Sequence, residues 1–380
     1  MKNQYVILTG SKNNAGDFLI KYRAKELFSN IRPDRTILDL NAWEPFDKNT
    51  LNEVNQSKAV LLMGGPSLQS NMRPFIYKMT EDLDDIKVPI LSMGIGWKSK
   101  SGNWQNTYKY PLSKESEALL ERVNNSGYMS SVRDYHTLNA IRFKGYDNFL
   151  MTGCPAYYDQ RFLNKGFKPS KIKKVAFSLG VSFIESKSME NLMKENILRL
   201  KEYFGEYDFD VVFHHSLDPN KYLSSVHSKL DRFKKHQEFE DWLKKRNINV
   251  VDISGSADNL LNYYSEVDFH IGYRVHAHIF MNSISKFSIL ISEDGRAKGV
   301  KGVIGGIVLD GYTNFKEGII AKGLNKLLKY DVYTPNRYLT SEIIDNIKYE
   351  NKIDFKRCNL SRISIDCNYS IMKFFLEQLP

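Results

Sequence analysis

The 380-residue chain is poor in cysteine and has no long apolar run. Its three cysteines, Cys154, Cys358 and Cys367, are odd in number and far apart. That excludes a disulfide framework and a zinc-ligand cluster, and it fits a reducing compartment. No stretch reaches the roughly 18 apolar residues that a membrane-spanning helix needs. The opening residues MKNQYVILTG lack the apolar core and small-residue cleavage site of a signal peptide and read as a first β-strand. There is no Walker A sequence and no GxGxxG, so nucleotide binding is not specifically encoded. Neither an RNP-like pattern nor an Arg-rich arm occurs, so nucleic acid is not an expected partner. The expected location is the cytoplasm, with peripheral attachment to the inner face of a membrane left open.

What is present points to a globular protein with anionic partners. Hydrophobic residues make up 42% of the chain, enough for packed cores rather than disorder. Fifty-four Lys and Arg against 44 Asp and Glu leave a net charge of +10, which favours phosphorylated metabolites or anionic surfaces. Much of the excess is Lys spread over exposed helical stretches, which serves solubility.

Short apolar runs alternate with longer amphipathic ones, the pattern of parallel βα units. Strands are expected at Tyr5–Thr9, Thr36–Leu40, Ala59–Met63 and Pro89–Met93, with weaker ones near Tyr128–Val132 and Asn148–Met151. Helices are expected over Asp17–Ser29, Arg73–Leu83 and Ser113–Asn125. The polar stretch NKGFKPSKIKK, broken by Gly166 and Pro169, reads as a linker. The pattern then restarts with strands at Val175–Leu179, Asp210–His214, Asn249–Ile253, Asp268–Gly272 and Phe287–Ile291. Intervening helices are expected at Glu190–Tyr203, Glu238–Arg246 and Leu260–Tyr264, the last capped by Ser256 or Asp258. This divides the chain into Rossmann-like domains at residues 1–165 and 172–325. An extension, 326–380, ends in an apolar helix over Ser370–Leu379 that can pack back on the first domain. The fold class is α/β, with two mainly parallel sheets facing across a cleft.

Ligands of such sheets bind beyond the carboxyl ends of strands, so the loops there carry the functional argument. The loop Thr9–Asp17, TGSKNNAGD, brings backbone amides to a helix start, an anion or polar-ligand site; the ordinary alternative is a turn with Asp17 as cap. Gly64-Gly65 and Gly94-Ile95-Gly96-Trp97 follow strong strands and permit close backbone approach. Arg133 can fork onto a phosphate or carboxylate, or simply pair with Asp134. Cys154, in Gly153-Cys154-Pro155-Ala156, reads better as a buried thiol than as a nucleophile. Arg274, His276 and His278 fall within five positions after a strand, where a guanidinium beside an imidazole can hold an anion and move a proton near neutral pH. For His278 a core position is an even alternative, and for His270 the better one. The segment Ser292–Lys301 adds Glu293, Asp294, Arg296, Lys298 and Lys301, each most simply part of a solvated charged turn. His214 and His215 follow a strand in a role the sequence does not define.

Taken together these segments resemble the polysaccharide pyruvyl transferase family. The resemblance is carried by Asn14-Ala15-Gly16-Asp17, Gly64-Gly65, Gly94-Ile95-Gly96, Arg133-Asp134, Gly153-Cys154-Pro155-Ala156 and above all Arg274-Val275-His276-Ala277. It runs from Tyr5 to about Gly302. Pro66 stands where a third Gly is common, and the loop after Ile291 is more acidic than the pattern, which weakens any role for Lys298. The resemblance implies a GT-B-like pair of domains and transfer of pyruvate from phosphoenolpyruvate to a saccharide, free or lipid-linked, as a ketal. His276 and Asp17 are then the catalytic candidates. Arg133, Arg274, His278 and Lys298 are candidates for the donor, and Asn14, Gly16, Gly65 and Trp97 for the acceptor, with Tyr273 a second ring that can stack on the sugar. No cofactor or metal is expected, since arginines can neutralise the departing phosphate. The alternatives are a GT-B-like glycosyltransferase using a nucleotide sugar and a non-catalytic carbohydrate-binding relative.

Overall fold

A computed structural model describes residues 2–10, 14–169, 171–224, 229–316 and 331–380. Ser11, Lys12 and Asn13 of the first loop, and the expected boundary at 325/326, lie outside the described residues. The chain forms two compact units. The first comprises residues 1–11, 17–164 and 363–380, and the second residues 12–16 and 165–362.

In the first unit a six-stranded sheet has the order β2-β1-β3-β4-β5-β6. Its strands are β1 (Gln4–Thr9), β2 (Thr36–Asn41), β3 (Ala59–Leu68), β4 (Ile90–Trp97), β5 (Ser130–Val132) and β6 (Phe149–Met151). Every pairing is parallel. Val6, Ile7, Leu8, Leu61, Leu62 and Leu91 are fully buried, as a sheet covered on both faces requires. Helices α1 (Ala15–Ile31), α2 (Lys48–Gln56), α3 (Lys114–Asn124) and α4 (Tyr135–Arg142) connect the strands. The last residues of the chain complete this unit: the Tyr5 hydroxyl and the Arg32 guanidinium donate to carbonyls of Pro380 and Leu379 at 2.8 and 2.7 Å.

The second sheet has the order β12-β11-β10-β7-β8-β9, again all parallel. The strands are β7 (Lys174–Ser178), β8 (Asp208–Phe213), β9 (Asn249–Asp252), β10 (Phe269–Gly272), β11 (Phe287–Ser292) and β12 (Ile307–Asp310). Counted from β7 this is the 3-2-1-4-5-6 order of a Rossmann sheet, with its topological switch point between β7 and β10. The helices are α5 (Lys187–Tyr203), α6 (Pro219–Leu223), α7 (Leu230–Lys244), α8 (Ala257–Glu266), α9 (Val275–Ser283) and α10 (Gly295–Ile304). Ser256 caps α8 by accepting from the Asn259 amide at 3.1 Å. All nine residues of α9 are buried, so its start is held rigidly against the sheet. Two six-stranded parallel sheets of Rossmann type are the α/β class that the strand pattern indicates.

Three expectations need correction. Arg73–Leu83 is not a helix: only short turns form at Met72–Ile76 and Leu83–Asp85. Pro74 pushes Arg73 out of the helical region, to φ −120° and ψ 138°, and Met79 has φ 47°. Gly64-Gly65 and Gly94–Trp97 are not loops after strands but lie inside β3 and β4. The ladder absorbs them through a register shift after Gly65, whose φ is 84°. Lys298 lies within α10 rather than in a loop, because Asp294 starts that helix by accepting from the Arg296 amide at 3.0 Å.

Candidate active site

The best-defined constellation sits in the second unit, at the switch point. Ser178 and Leu179 close β7 as Gly272 closes β10, and the Ser178 hydroxyl accepts the Arg274 amide at 3.1 Å. The Arg274 side chain is fixed by Nε donating to the Leu179 carbonyl at 2.6 Å. Its Nη1 faces His215 Nε2 at 3.4 Å. Among the described residues the guanidinium forms no ion pair. Burial pushes its pKa down to about 10, with Glu293 opposing the shift, so it stays cationic at neutral pH. Burial and the neighbouring Arg274 hold His215 well below the usual histidine range, so it presents a neutral ring to the cation.

Arg274 is also the N-cap of α9, and its side chain does not cap the helix. The amides of the first turn therefore add the positive end of a nine-residue helix to the guanidinium. His276 is the second residue of that turn and is 7% exposed. Gly16, of the same unit, lies directly against it: a Cβ at position 16 would fall 2.0 Å from His276 Nδ1 and 2.9 Å from its Cβ. Asn14 fixes that approach by accepting the Gly16 amide at 3.1 Å. Gly16→Ala is therefore expected to lower stability by about 1–3 kcal/mol through overpacking. A melting temperature equal to that of the unchanged chain would show that the imidazole moves aside without cost.

Glu293 is a residue that the sequence presents as part of a solvated turn, yet it is only 4% exposed. Its Oε2 accepts the amides of Val181 and Ser182 at 2.8 and 2.9 Å, pinning the loop whose Leu179 carbonyl holds Arg274. Glu293, in the loop after β11, thus pins a loop more than a hundred residues earlier in the chain, and through it the guanidinium.

Beneath α9 runs a buried chain of hydrogen bonds. Ser178 Oγ meets His270 Nε2 at 2.8 Å, and Ser288 Oγ sits 2.7 Å from both His270 Nδ1 and His278 Nδ1. His278 is fully buried, and burial takes its pKa down to about 3. It is a core histidine satisfied by Ser288, so it offers nothing to a donor anion. Tyr273 is 1% exposed and packs within the core cluster of this unit, so its ring is not a stacking surface either. Lys298 is half-buried on α10, away from any loop contact with Arg274 that the structure defines.

The first unit carries its own group of candidates at the carboxyl edge of its sheet. Asp17 lies beside Gly65, where a Cβ would come 3.2 Å from Asp17 Oδ1. Arg133 is 6% exposed and lies over the Gly96 backbone, where a Cβ would fall 2.0 Å from its Nε. Its Nε faces Asp134 Oδ2 at 3.4 Å, while Nη1 and Nη2 make no hydrogen bond to described residues. A buried guanidinium with two unsatisfied donors is costly unless an anion completes it. Cys154 lies near Arg133, and burial pushes its thiol up to about 11, so it is no nucleophile at neutral pH. Trp97 is fully buried and stacked on His136 with centroids 5.2 Å apart, so neither face is open to a sugar.

Arg274, His276, His215 and Gly16 all lie within the span that a family model matches. The family model described as Polysaccharide pyruvyl transferase matches residues 14–280, well over half of the chain. The chain belongs to the polysaccharide pyruvyl transferase family. The match begins at Asn14, beside Gly16, and ends within α9, so it contains both segments that meet at His276. No curated protein sequence matches the chain. Among solved structures it is similar to UDP-GlcNAc 2-epimerase from Neisseria meningitidis bound to UDP-GlcNAc, at 12% identity over 99% of both chains with a TM-score of 0.51. It is also similar to the Methanocaldococcus jannaschii UDP-GlcNAc 2-epimerase in complex with UDP-GlcNAc and UDP, at 11% identity over 91% of this chain and 99% of that one, TM-score 0.46. At such identities the likeness is one of fold.

Proposed function

We propose that this family member transfers the pyruvyl group of phosphoenolpyruvate to two hydroxyls of a saccharide, free or lipid-linked, forming a ketal. The observation that carries this is Arg274: a cation with no ion-pair partner among the described residues, placed on a helix N-terminus at a Rossmann switch point, beside an imidazole. A phosphate or carboxylate answers both the guanidinium and the helix end. In the first unit Arg133 offers a second guanidinium with unsatisfied donors.

In this reading His276 gives a proton to the methylene carbon of the enol as the first hydroxyl adds at C2. The second hydroxyl then takes the place of the phosphate, which leaves as inorganic phosphate. The methylene becomes a methyl group, and both C–O bonds of the ketal come from the sugar. Asp17 is assigned to orient or deprotonate a hydroxyl. Arg274 holds the charge that develops on the leaving phosphate.

A thermal-shift titration with phosphoenolpyruvate beside a panel of nucleotide sugars tests the donor, because a ligand that binds only the folded chain raises its stability. The expected result is a shift with phosphoenolpyruvate, about 2.7 kcal/mol of stabilisation at a hundredfold excess over Kd, that disappears in Arg274→Ala. A shift with a nucleotide sugar and none with phosphoenolpyruvate would replace this reading with a glycosyltransferase.

A further inference from the structure

The first unit exposes four large rings on one pair of neighbouring elements. Trp104 and Tyr108 belong to a short turn (Trp104–Thr107) and its end, and Tyr135 and Phe143 to the two ends of α4. They are 41%, 44%, 45% and 56% exposed, against the near-complete burial of Trp97 and Tyr110 in the same region. Two ring pairs meet within this patch: Trp104 packs edge-on against His136 at 4.4 Å, and Tyr108 against Phe143 at 4.6 Å. The Asn139 side chain ties the turn to the helix by donating to Thr107 Oγ1 at 2.6 Å. Apolar surface of this kind, rimmed by polar groups, marks an interaction site.

Its charge says what it fits. Residues 98–112 and 135–146 contain Lys98, Lys100, Lys109, Arg142 and Lys144 and not one Asp or Glu. Lys144 pairs with Glu117 from α3 at 2.7 Å, and the adjacent Asp134 is buried as the cap of α4. Glu117 and the exposed Glu121 act on Tyr146 just past α4, and Asp147 is exposed there too, so the positive charge is concentrated at Lys98, Lys100, Lys109 and Arg142. We propose that this patch docks the protein on an anionic lipid surface, with the rings at headgroup depth and the lysines on the lipid phosphates. Trp and Tyr belong at that depth, where one end of the ring is apolar and the other wet. Basic residues beside them add attraction to anionic lipid. A neutral saccharide would offer the cations no opposite charge. Among the described residues no helix is long and apolar enough to cross a membrane. Lys98 follows Trp97 at the end of β4, and Asp134, next to Arg133, starts α4, so the patch borders the candidate edge of this sheet. Presentation of that edge to a lipid-linked acceptor rests on the proposed function; the docking itself does not.

Flotation of the full chain tests it, with vesicles of phosphatidylcholine and of an equimolar mixture of phosphatidylcholine and phosphatidylglycerol. The chain is expected to float with the mixed vesicles and not with phosphatidylcholine alone, and to release as salt rises. Lys100→Gln and Lys109→Gln should each weaken binding about fivefold, and Trp104→Ser with Phe143→Ser should abolish it. Melting temperatures should stay unchanged, because the side chains are exposed. Failure of the unchanged chain to float, or flotation of the Trp104/Phe143 variant as before, overturns the proposal. So does light scattering that shows a dimer dissociated by the same variant without any vesicle binding. A phosphoenolpyruvate shift without flotation would leave the proposed function standing while removing the docking surface.

Discussion

His276→Ala is expected to lower turnover by about 10²–10⁴-fold while phosphoenolpyruvate affinity stays within about threefold. The separation follows from where the charges are. In the proposed reading donor anions are answered by Arg274 and by the first-turn amides of α9, and neither depends on the imidazole. Proton delivery is different. Arg274, at about 10, gives up no proton at neutral pH, and His215 is held neutral beside it. Histidine is the side chain type that changes charge near neutral pH, which suits it to that task. The His276 ring packs directly against Gly16. Phosphate release in single turnover, measured beside calorimetric binding of phosphoenolpyruvate, separates the two quantities. Unchanged turnover rules out the acid role. An equal fall in affinity and turnover makes His276 a binding residue instead.

Much of this arrangement is legible in the sequence because it is local. Near-uniform apolar runs such as Val6–Leu8 and Phe269–Gly272 are central parallel strands. Ser256 caps a helix where a short polar side chain before an apolar run should. Arg274-Val275-His276-Ala277 lies at a strand end because β10 stops at Gly272. What is not legible depends on partners distant in the chain. His278 differs from His276 only by two positions along a helix, and Ser288, on a neighbouring strand, makes it a core residue. Trp97 looks like a rim aromatic until His136 and Tyr110 cover it. Glu293 reads as a solvated acid because the amides of Val181 and Ser182 that it accepts belong to another βα loop. The region Arg73–Leu83 has helical composition, but the backbone restriction that Pro74 imposes on its neighbour outweighs it. β12, whose apolar run is only Ile307–Leu309, is too short for periodicity to reveal.

Stability is expected to fall by about 5 kcal/mol between pH 7.5 and pH 5.5, which for a domain stable by about 5–15 kcal/mol is close to unfolding. Four histidines of the second unit, His214, His236, His270 and His278, are at most 2% exposed. Burial is the first cause of lowering in each: His236 falls to about 4 and His278 to about 3, and His214 and His270 lie well below the usual range. Their hydrogen bonds suit neutral rings. His214 meets the Tyr264 hydroxyl at 2.8 Å, His236 Nδ1 the Arg232 carbonyl at 3.0 Å, and the other two share Ser288. Below pH 6.5 the unfolded chain takes up these protons and the folded one does not, so stability is present above that pH and is lost as pH falls, down to about pH 3–4. Each group contributes about 1.4 kcal/mol of loss by pH 5.5, and His215, also held well below the usual range, adds in the same direction. Denaturant unfolding at pH 7.5, 6.5 and 5.5, followed by fluorescence of Trp242 in the second unit, measures the slope directly. His278→Asn should flatten it by about one proton's share if the variant stays folded. A flat stability across that range would mean that the folded protein takes up these protons too, which four imidazoles bonded to hydroxyls and a carbonyl, with no carboxylate among those partners, give no physical reason to expect.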